Sequence, residues 1–351
     1  MISLPEFNLK LQEKIQKAKR IILFLHKSPD PDSIGSNFGF LRYIKEYNPN
    51  SEIVILSVDD LSINLKNIIE RYSSTLITKI EPANFDFQSG DLSVFIDFAE
   101  IHRASRVEGT KLPDFVDLAI IDHHVIPEIN SILNFIETQN ISASTIVYKL
   151  LLEANIKIDK ETYIFLILGI LGDSGFLRYR DSNFIQSLDI IKKFCETFGT
   201  ENYFELIAQI EKNMPVEEFL LEGIYLNNLV YDEKNKFAYT SMTLQERQDK
   251  EVSLTYSEFI NGATVIRNIG EALFSCSITE DKKEKNKFNI SLRSSSGSNF
   301  VVRDIAVKLG GGGHVSASGA QIEAGSMQEA IERVKSAIHE LNELRTTSIS
   351  G

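Results

Sequence analysis

The first half of the chain alternates short apolar runs with helical patterns, and this alternation is the feature that most restricts its fold. The apolar runs are rich in Ile, Val, Leu and Phe and cover residues 21–25, 53–58, 92–96 and 118–121. Helical patterns cover residues 35–47, 63–72 and 143–153, and residues 161–172 have the pattern of a helix that is apolar on all sides. Apolar strands separated by helices are typical of a parallel sheet. We therefore predict an α/β domain with a mostly parallel sheet flanked by helices.

The second half differs, with a helical stretch followed by strands mixed with helices. The helical stretch covers residues 184–214, and strand-like runs cover residues 237–242, 271–278 and 288–292. A charged turn at 281–287 predicts a hairpin between the last two runs, and helical patterns return at 300–309 and 327–344. We predict a first domain at residues 1–190, a helical connector at 191–214 and a smaller α+β domain at 215–345.

The charge of the chain limits its partners. The 351 residues carry a formal net charge of −12, which disfavours long nucleic-acid duplexes and anionic membranes. The start of the chain lacks the apolar core of a signal peptide. The longest uncharged apolar run, residues 163–172, is about half as long as a membrane span. The two cysteines are far apart, as expected in a reducing compartment, and we expect a cytoplasmic protein without a membrane partner.

Acidic and imidazole side chains recur where these elements end. The first apolar run leads into a loop with His26, Asp30 and Asp32, which two prolines stiffen. A helix cap formed by Asp32 or Ser33 would explain one carboxylate of this loop, but it explains neither His26 nor the second carboxylate. The loop therefore favours a binding site.

Three further elements end in the same residue types. Asp97 follows the third apolar run, Asp122-His123-His124 follows the fourth, and Asp173 ends the buried helix. Each has an ordinary structural alternative as a turn, cap or hydrogen-bonded core residue. Together they indicate a metal site, because unpaired buried acids are costly. Asp122 is suited to orient an imidazole that binds a metal.

The donor types predict which metals this site would take. Carboxylates combined with imidazoles, without thiolates, suit manganese, and magnesium, cobalt or zinc are the substitutes. The candidate ligands outnumber the needs of one ion, which predicts two divalent ions that share a carboxylate. Such a pair can clamp a phosphate and activate water.

These motifs resemble those of the DHH phosphoesterase family. The similar segments of the first domain are His26-x-x-x-Asp30-x-Asp32, Asp97, Asp122-His123-His124 and Asp173. In the second domain, Arg293 and residues 311–314 and 317–320 resemble the DHH-associated C-terminal domain. Length and layout are most similar to the NrnA-type enzymes, which degrade very short oligoribonucleotides and dephosphorylate 3′-phosphoadenosine 5′-phosphate.

The resemblance implies a catalytic role for the first domain and a substrate-binding role for the second. One manganese ion would bind His26, Asp30 and Asp97, and the other would bind Asp32, Asp97, His123 and Asp173. His124 would contact the scissile phosphate and protonate the leaving oxygen, while Asp122 would orient the histidines. Phe98 and Ser33 differ from the residues that are common at these positions in the family. Neither difference removes a metal ligand, so both bear on how the substrate fits.

The substrate-binding candidates are Arg293, Gly311, Gly312, Gly313, His314 and Arg103. The glycine run is alternatively a flexible linker, but it lies between ordered-looking elements. Its backbone N–H groups could form an anion nest, and Arg293 and His314 could hold a terminal phosphate or a base. Arg103 follows Asp97 closely and is a further candidate for the phosphate.

The function that these residues predict is hydrolysis of short oligoribonucleotides, of 3′-phosphoadenosine 5′-phosphate, or of both. The alternative among hydrolases is a phosphodiesterase of cyclic or linear di-adenylate, which the motifs barely distinguish. The alternative from another class is a non-catalytic nucleotide-binding protein, against which the complete donor set argues. The predicted partners are short RNA or a nucleotide, and the chain is compatible with a homodimer.

Overall fold

A computed structural model gives the fold of the chain for residues 2–125, 133–178, 183–211, 215–254 and 260–347. The chain divides into two compact units, residues 1–213 and 214–351, and each has its own sheet and hydrophobic core. The predicted boundary at residue 214 lies outside the described residues. The assignment of residues 1–190, 191–214 and 215–345 to separate roles stays a prediction.

The first unit contains a six-stranded parallel sheet. Its strands are β1 (Arg20–Phe24), β2 (Glu52–Ser57), β3 (Ile77–Lys79), β4 (Asp91–Ile96), β5 (Asp117–Asp122) and β6 (Leu133–Ile136), in the order β3-β2-β1-β4-β5-β6. The four predicted runs form β1, β2, β4 and β5, which confirms the parallel sheet. The predicted runs do not include the short strands β3 and β6, whose residues are partly buried or exposed.

The helices of the first unit pack on one face of this sheet. They are α1 (Leu4–Lys17), α2 (Pro31–Tyr47), α3 (Ile63–Tyr72), α4 (Ala143–Glu153), α5 (Lys160–Asp173), α6 (Phe184–Phe198) and α7 (Thr200–Glu211). Ile21 and Leu23 of β1 share a core with these helices, while Ile22 and Phe24 pack on the opposite face beneath the connections before β4 and before β5. Right-handed crossovers explain this division. The chain moves across the sheet in one direction after β1 and in the opposite direction after β4, so crossovers of the same hand lie on opposite faces.

The middle of the sheet is where a binding site is expected. Strands β1 and β4 are neighbours, but the chain continues from β1 towards β3 and from β4 towards β6. Ligands of open α/β sheets bind at the carboxyl ends of the strands where the order reverses in this way. The predicted site residues His26 and Asp97 follow β1 and β4 at that point.

Helices α2 and α5, which carry site residues beside this edge of the sheet, pack closely against each other. A Cβ atom on Gly35 would lie only 2.7 Å from the backbone nitrogen of Gly169. On Gly169, a Cβ atom would lie 2.5 Å from the Asp32 carboxylate. The absence of side chains at both glycines therefore lets the two helix backbones touch beside Asp32.

The second unit is a mixed sheet with helices. Its helices are α8 (Val216–Asn227), α9 (Leu244–Asp249), α10 (Gly262–Val265), α11 (Arg303–Lys308) and α12 (Met327–Thr347). Its strands are β7 (Val230–Asp232), β8 (Phe237–Met242), β9 (Phe274–Glu280), β10 (Lys287–Ser294), β11 (Gly312–Gly313) and β12 (Ala317–Glu323), in the order β11-β12-β10-β9-β8-β7. Among the described strands of this second sheet, only β8 and β9 pair in parallel, and β9 and β10 form the predicted hairpin.

A search of the described helices for a membrane span found none that is both long and apolar enough to cross a bilayer.

Substituting Gly35→Ala should destabilise the first unit, because the added methyl group meets backbone atoms of α5 that cannot rotate away. We expect a loss of about 1–3 kcal/mol in the free energy of unfolding, measured by urea denaturation. The control is Gly223→Ala in α8, where a Cβ atom meets nothing within 4 Å. That variant should gain up to about 1 kcal/mol from helix propensity, and equal stability of the two variants would contradict the close-packing argument.

Candidate metal centre

Asp97 lies at the middle of the candidate site and faces two imidazoles. It directly follows β4, is 3% exposed, and its N–H group donates to the Ile121 carbonyl at 3.0 Å. Its φ of 73° is in the left-handed region, which Asp and Asn enter more readily than most other residues with a side chain. Its Oδ2 lies 3.2 Å from His26 Nε2, and its Oδ1 lies 3.1 Å from His123 Nε2. One buried carboxylate therefore stands between side chains from the ends of β1 and β5.

The loop after β1 presents His26 to this carboxylate. The Nδ1 atom of His26 lies 2.9 Å from the Lys27 carbonyl, which can only accept, so Nδ1 carries a hydrogen in this contact. The Nε2 atom then faces Asp97 and, at 3.4 Å, the Oδ2 of Asp30. Burial opposes the imidazolium charge, but hydrogen bonds to Asp30 and Asp97 outweigh it and raise the pKa of His26 well above its usual value.

Asp30 caps helix α2 and also faces His26. Its Oδ1 accepts hydrogen bonds from the N–H groups of Asp32, at 3.0 Å, and Ser33, at 2.9 Å, while Pro31 occupies the first turn. The alternative assignment of the cap to Asp32 or Ser33 is therefore wrong. Because Asp30 caps with one oxygen, its other oxygen is left to face His26, and one residue serves both purposes.

Helix α4 holds Asp32 from across the site. Asp32 has no solvent exposure, and its two oxygens accept from the backbone N–H groups of Ala143 at 2.6 Å and Ser144 at 3.0 Å. These N–H groups belong to the first turn of α4, whose partial positive charge favours a carboxylate. Burial and the charge of Asp97 nevertheless raise the pKa of Asp32 to about 7.

His123 connects Asp97 with two further acids. Its Nε2 lies 3.3 Å from Asp173 Oδ2 and 4.0 Å from Asp32 Oδ2. Its Nδ1 lies 3.3 Å from the Asn140 carbonyl, which fixes the ring with Nε2 towards the acids. Burial opposes the charge on the ring, but hydrogen bonding to Asp97 and the charges of Asp97, Asp173 and Asp32 raise the pKa of His123 to about 10.

Asp122 holds the backbone of the histidine pair and the ring of His124. Its Oδ1 accepts from the N–H groups of His123 at 2.8 Å and His124 at 3.2 Å, and lies 2.8 Å from His124 Nδ1. Burial acts to raise the pKa of Asp122, but its hydrogen bonds and the charge of His124 keep that pKa below the usual value. The ring of His123 is oriented by Asn140 instead, so the two imidazoles have separate supports.

The crowded carboxylates of the site favour the binding of positive charge. Burial, then the charges of Asp32 and Asp97, raise the pKa of Asp173 well above its usual value. Crowded acids of this kind, with imidazoles turned towards them, are a donor set for divalent cations. The groups whose ligand atoms lie within 4.8 Å of one another are His26–Asp30–Asp97, Asp32–Asp97–His123–Asp173 and Asp97–Asp122–His123–His124. The residues present therefore fit metal ions, with Asp97 common to every group.

The sequence gives no sign of the main-chain groups that orient these ligands. The carbonyls of Lys27 and Asn140 and the first N–H groups of α4 would serve equally well from other residue types. Asn140 is anchored by Glu137, whose carboxylate accepts from the Asn140 amide at 2.6 Å and from Lys149 at 2.9 Å. The one signal in the sequence for these main-chain supports is the polar loop that directly precedes α4.

Arg103 contacts the site loop through its backbone. It lies in a short 3-10 turn, Ile101–Arg103, with an exposed side chain. Its carbonyl accepts from the N–H group of Lys27 at 2.6 Å. The contact with a phosphate that the sequence suggests for its guanidinium stays a prediction.

The predicted substrate-binding residues of the second unit lie around one end of its sheet. Arg293 is in β10, opposite Ala317 of β12, and donates to the Leu292 carbonyl at 2.9 Å. Gly312 and Gly313 form β11 on β12, and His314 follows at the turn. The flexible-linker interpretation of this run is therefore wrong.

Close backbone contacts explain the glycines of this turn. A Cβ atom on Gly311 would lie 2.6 Å from the Ala320 backbone, and Gly313 has a φ of +130°. The N–H group of Gly311 donates to the Ala306 carbonyl at 2.8 Å, and that of His314 donates to the Ala317 carbonyl at 2.8 Å. These two N–H groups are therefore engaged within the fold, and a role of the run in binding substrate stays a prediction.

Comparison with known families agrees with the two-unit architecture. Residues 20–170 match the DHH family, N-terminal domain, and residues 236–340 match the DHHA1 domain. The resemblance that the motifs predicted is confirmed.

Two relatives are similar along most of the chain. The probable bifunctional oligoribonuclease and PAP phosphatase NrnA of Streptococcus mutans is 25% identical over 317 residues, which cover 88% of this chain and 91% of the relative. The bifunctional oligoribonuclease and PAP phosphatase NrnA of Thermus thermophilus is 26% identical over 323 residues, which cover 91% of this chain and 89% of the relative.

Other relatives are matched over only about half of their length. The cyclic-di-AMP phosphodiesterase PdeA of Listeria monocytogenes is 26% identical over 93% of this chain and 48% of the relative. A probable manganese-dependent inorganic pyrophosphatase of Lactococcus lactis is 27% identical over 51% of this chain and 56% of the relative.

A solved structure agrees with the fold. An exopolyphosphatase-related protein from Bacteroides fragilis has a TM-score of 0.79 at 22% identity, covering 96% of this chain and 97% of that one.

Manganese should stabilise the protein, and the variant Asp97→Asn should lose this effect. At a free concentration about 100-fold above Kd, one bound ion adds about 2.7 kcal/mol to the free energy of unfolding, which differential scanning fluorimetry detects as a rise in Tm. Asn removes the central charge and still tolerates the left-handed backbone. The control Asp117→Asn alters an exposed acid paired with Lys14 and should respond to manganese like the wild type. An equal rise in Tm for Asp97→Asn would argue against ions at this site.

Proposed function

We propose that this chain, which carries a DHH-family N-terminal domain followed by a DHHA1 domain, is a metal-dependent phosphoesterase of short oligoribonucleotides and of 3′-phosphoadenosine 5′-phosphate. The observation that carries the proposal is the pair of donor groups sharing Asp97. Relatives that are similar along most of the chain are named oligoribonuclease and PAP phosphatase, which supports this substrate class.

In this proposal, two divalent ions occupy the two groups. His26, Asp30 and Asp97 hold one ion, and Asp32, Asp97, His123 and Asp173 hold the other. When bound, such a pair activates water and neutralises charge on a phosphate. Manganese is the ion that we favour, supported by carboxylate and imidazole donors and by a relative named as manganese-dependent, and magnesium or cobalt are the substitutes.

His124 is the proposed catalytic acid and phosphate contact. Its Nδ1 lies 2.8 Å from the Asp122 carboxylate, and Nε2 is the ring atom that we propose meets the substrate. The ring is 29% exposed, more than that of His26 or His123, so a ligand can reach it. A proton passed from Nε2 to the leaving oxygen would then make that oxygen a hydroxyl group. Asp122 would stabilise the charged ring before the transfer.

The second unit is the proposed substrate-binding part. Arg293 supplies a fixed positive charge beside the glycine turn and His314, which suits a phosphate at the end of a short chain. The net charge of −12 supports short substrates, since long duplexes are bound through many phosphate contacts. With Arg103, these residues form the proposed substrate contacts. The proposed place of action is the cytoplasm.

A phosphodiesterase of cyclic or linear di-adenylate is the second candidate. It is supported by the relative named as a cyclic-di-AMP phosphodiesterase, which matches 93% of this chain. That relative is about twice as long as the matched region, while the two NrnA relatives are covered over 91% and 89% of their own length. A nucleotide-binding protein without catalysis would not need the complete set of acids and imidazoles.

A direct comparison of substrates separates these candidates. We expect initial rates with manganese to be highest on RNA of two to five nucleotides or on 3′-phosphoadenosine 5′-phosphate, and lower on cyclic di-AMP. The readout is product quantified by ion-exchange chromatography, with chelator added as the blank. A preference for cyclic di-AMP would select the second candidate, and binding without turnover of any substrate would select the non-catalytic protein.

His124→Gln should separate catalysis from metal binding. Gln keeps a polar group near the phosphate but cannot donate the proton as an acid, so we expect kcat to fall by about 10²- to 10⁴-fold. Manganese affinity, measured by electron paramagnetic resonance, should change little because the two proposed ligand sets omit His124. The matched control is His102→Gln, an exposed histidine, which should keep wild-type kcat. Undiminished turnover in His124→Gln would rule out its role as the acid.

A further inference from the structure

The loop that carries His26 and Asp30 contains a strained residue between them. Ser28 has a φ of 55°, in the left-handed region that residues other than glycine rarely adopt. Such a conformation persists when surrounding contacts determine it. The N–H group of Ser28 donates to the Oδ2 of Asp59 at 2.8 Å, which identifies one of these contacts.

Asp59 is itself held in place by an arginine. It lies just after β2, and its side chain is 18% exposed. Arg106 donates to it as a fork, with Nη2 at 2.7 Å from Oδ1 and 2.8 Å from Oδ2, and with Nε at 2.9 Å from Oδ1. The Arg106 N–H group also donates to Glu81 at 3.1 Å. A forked pair fixes the orientation of the carboxylate as well as its position.

A second contact ties the same two segments together. The Lys27 N–H group donates to the Arg103 carbonyl at 2.6 Å, and the Lys27 carbonyl contacts His26 Nδ1 at 2.9 Å. Residues 103–106 therefore hold both residues that follow His26, one through Arg103 and the other through Asp59. These residues lie in the connection that begins at Asp97, so a single piece of chain links the shared carboxylate to the loop.

We propose that Asp59, locked by Arg106, is a positioning residue that sets the geometry of the ion site formed by His26, Asp30 and Asp97. The proposal rests on the proposed metal centre and adds to it a support outside the ligands. Outer contacts that orient ligands typically change metal affinity or activity by about 10- to 100-fold when removed. Asp59 touches neither imidazole nor any proposed ligand in the described contacts, so it acts through Ser28.

The test is a manganese titration of the metal-free full-length protein, followed by electron paramagnetic resonance of free and bound ion. Asp59→Ala should bind one of two ions about 10- to 100-fold more weakly and leave the other near its wild-type affinity. The matched control is Asp60→Ala, which removes a neighbouring acid that pairs with Lys79 at 2.6 Å and makes no contact with the loop among the described residues. Asp60→Ala should bind both ions like the wild type.

Conservative variants separate positioning from general stability. Asp59→Asn keeps an oxygen that can accept from Ser28, so it should recover most of the affinity that Asp59→Ala loses. Arg106→Ala frees the carboxylate to rotate and should give an intermediate loss, which decides the question if Asp59→Ala does not fold. A wild-type protein that binds no manganese would overturn the proposed function itself. If the wild type binds two ions, equal affinities in Asp59→Ala and Asp60→Ala would overturn only the positioning role. Equal affinities in Arg106→Ala and the wild type would overturn it in the same way.

Discussion

The whole site depends on one carboxylate held between two imidazoles where the strand order reverses. Asp97 lies within 3.2 Å of His26 and 3.1 Å of His123, although these residues follow strands on opposite sides of it. Taking a carboxylate out of water at this depth is costly unless positive charge compensates it. Asp97 contributes to the upward pKa shifts of both histidines, together with Asp30 for His26 and with Asp173 and Asp32 for His123.

Rigid supports outside the ligands keep these charges in place. Main-chain carbonyls of Lys27 and Asn140 orient the two imidazoles, and the first turn of α4 receives Asp32. The close contact between α2 and α5, which glycines make possible, brings Asp32 of α2 to the first turn of α4. A site built in this way is organised before a ligand arrives, so little ordering remains to be done when an ion binds.

The sequence predicts those parts of the structure that depend on residue type. The apolar runs predicted four strands, and the acids and imidazoles at element ends are side chains that the fold brings together, because buried acids need partners. The alternative that gave the helix cap to Asp32 or Ser33 is wrong, because several acids of the loop could cap and only the backbone geometry selects Asp30. The short strands β3 and β6, the Asn140 carbonyl and the bond from Ser28 to Asp59 depend on tertiary contacts that leave no local pattern.

The central claim is that Asp97 is shared by two cations, and anomalous X-ray diffraction from crystals soaked in manganese measures this most directly. We expect two anomalous peaks, one on the His26 side and one on the His123 side, each within coordination distance of an Asp97 oxygen. A single peak, or peaks away from Asp97, would contradict it.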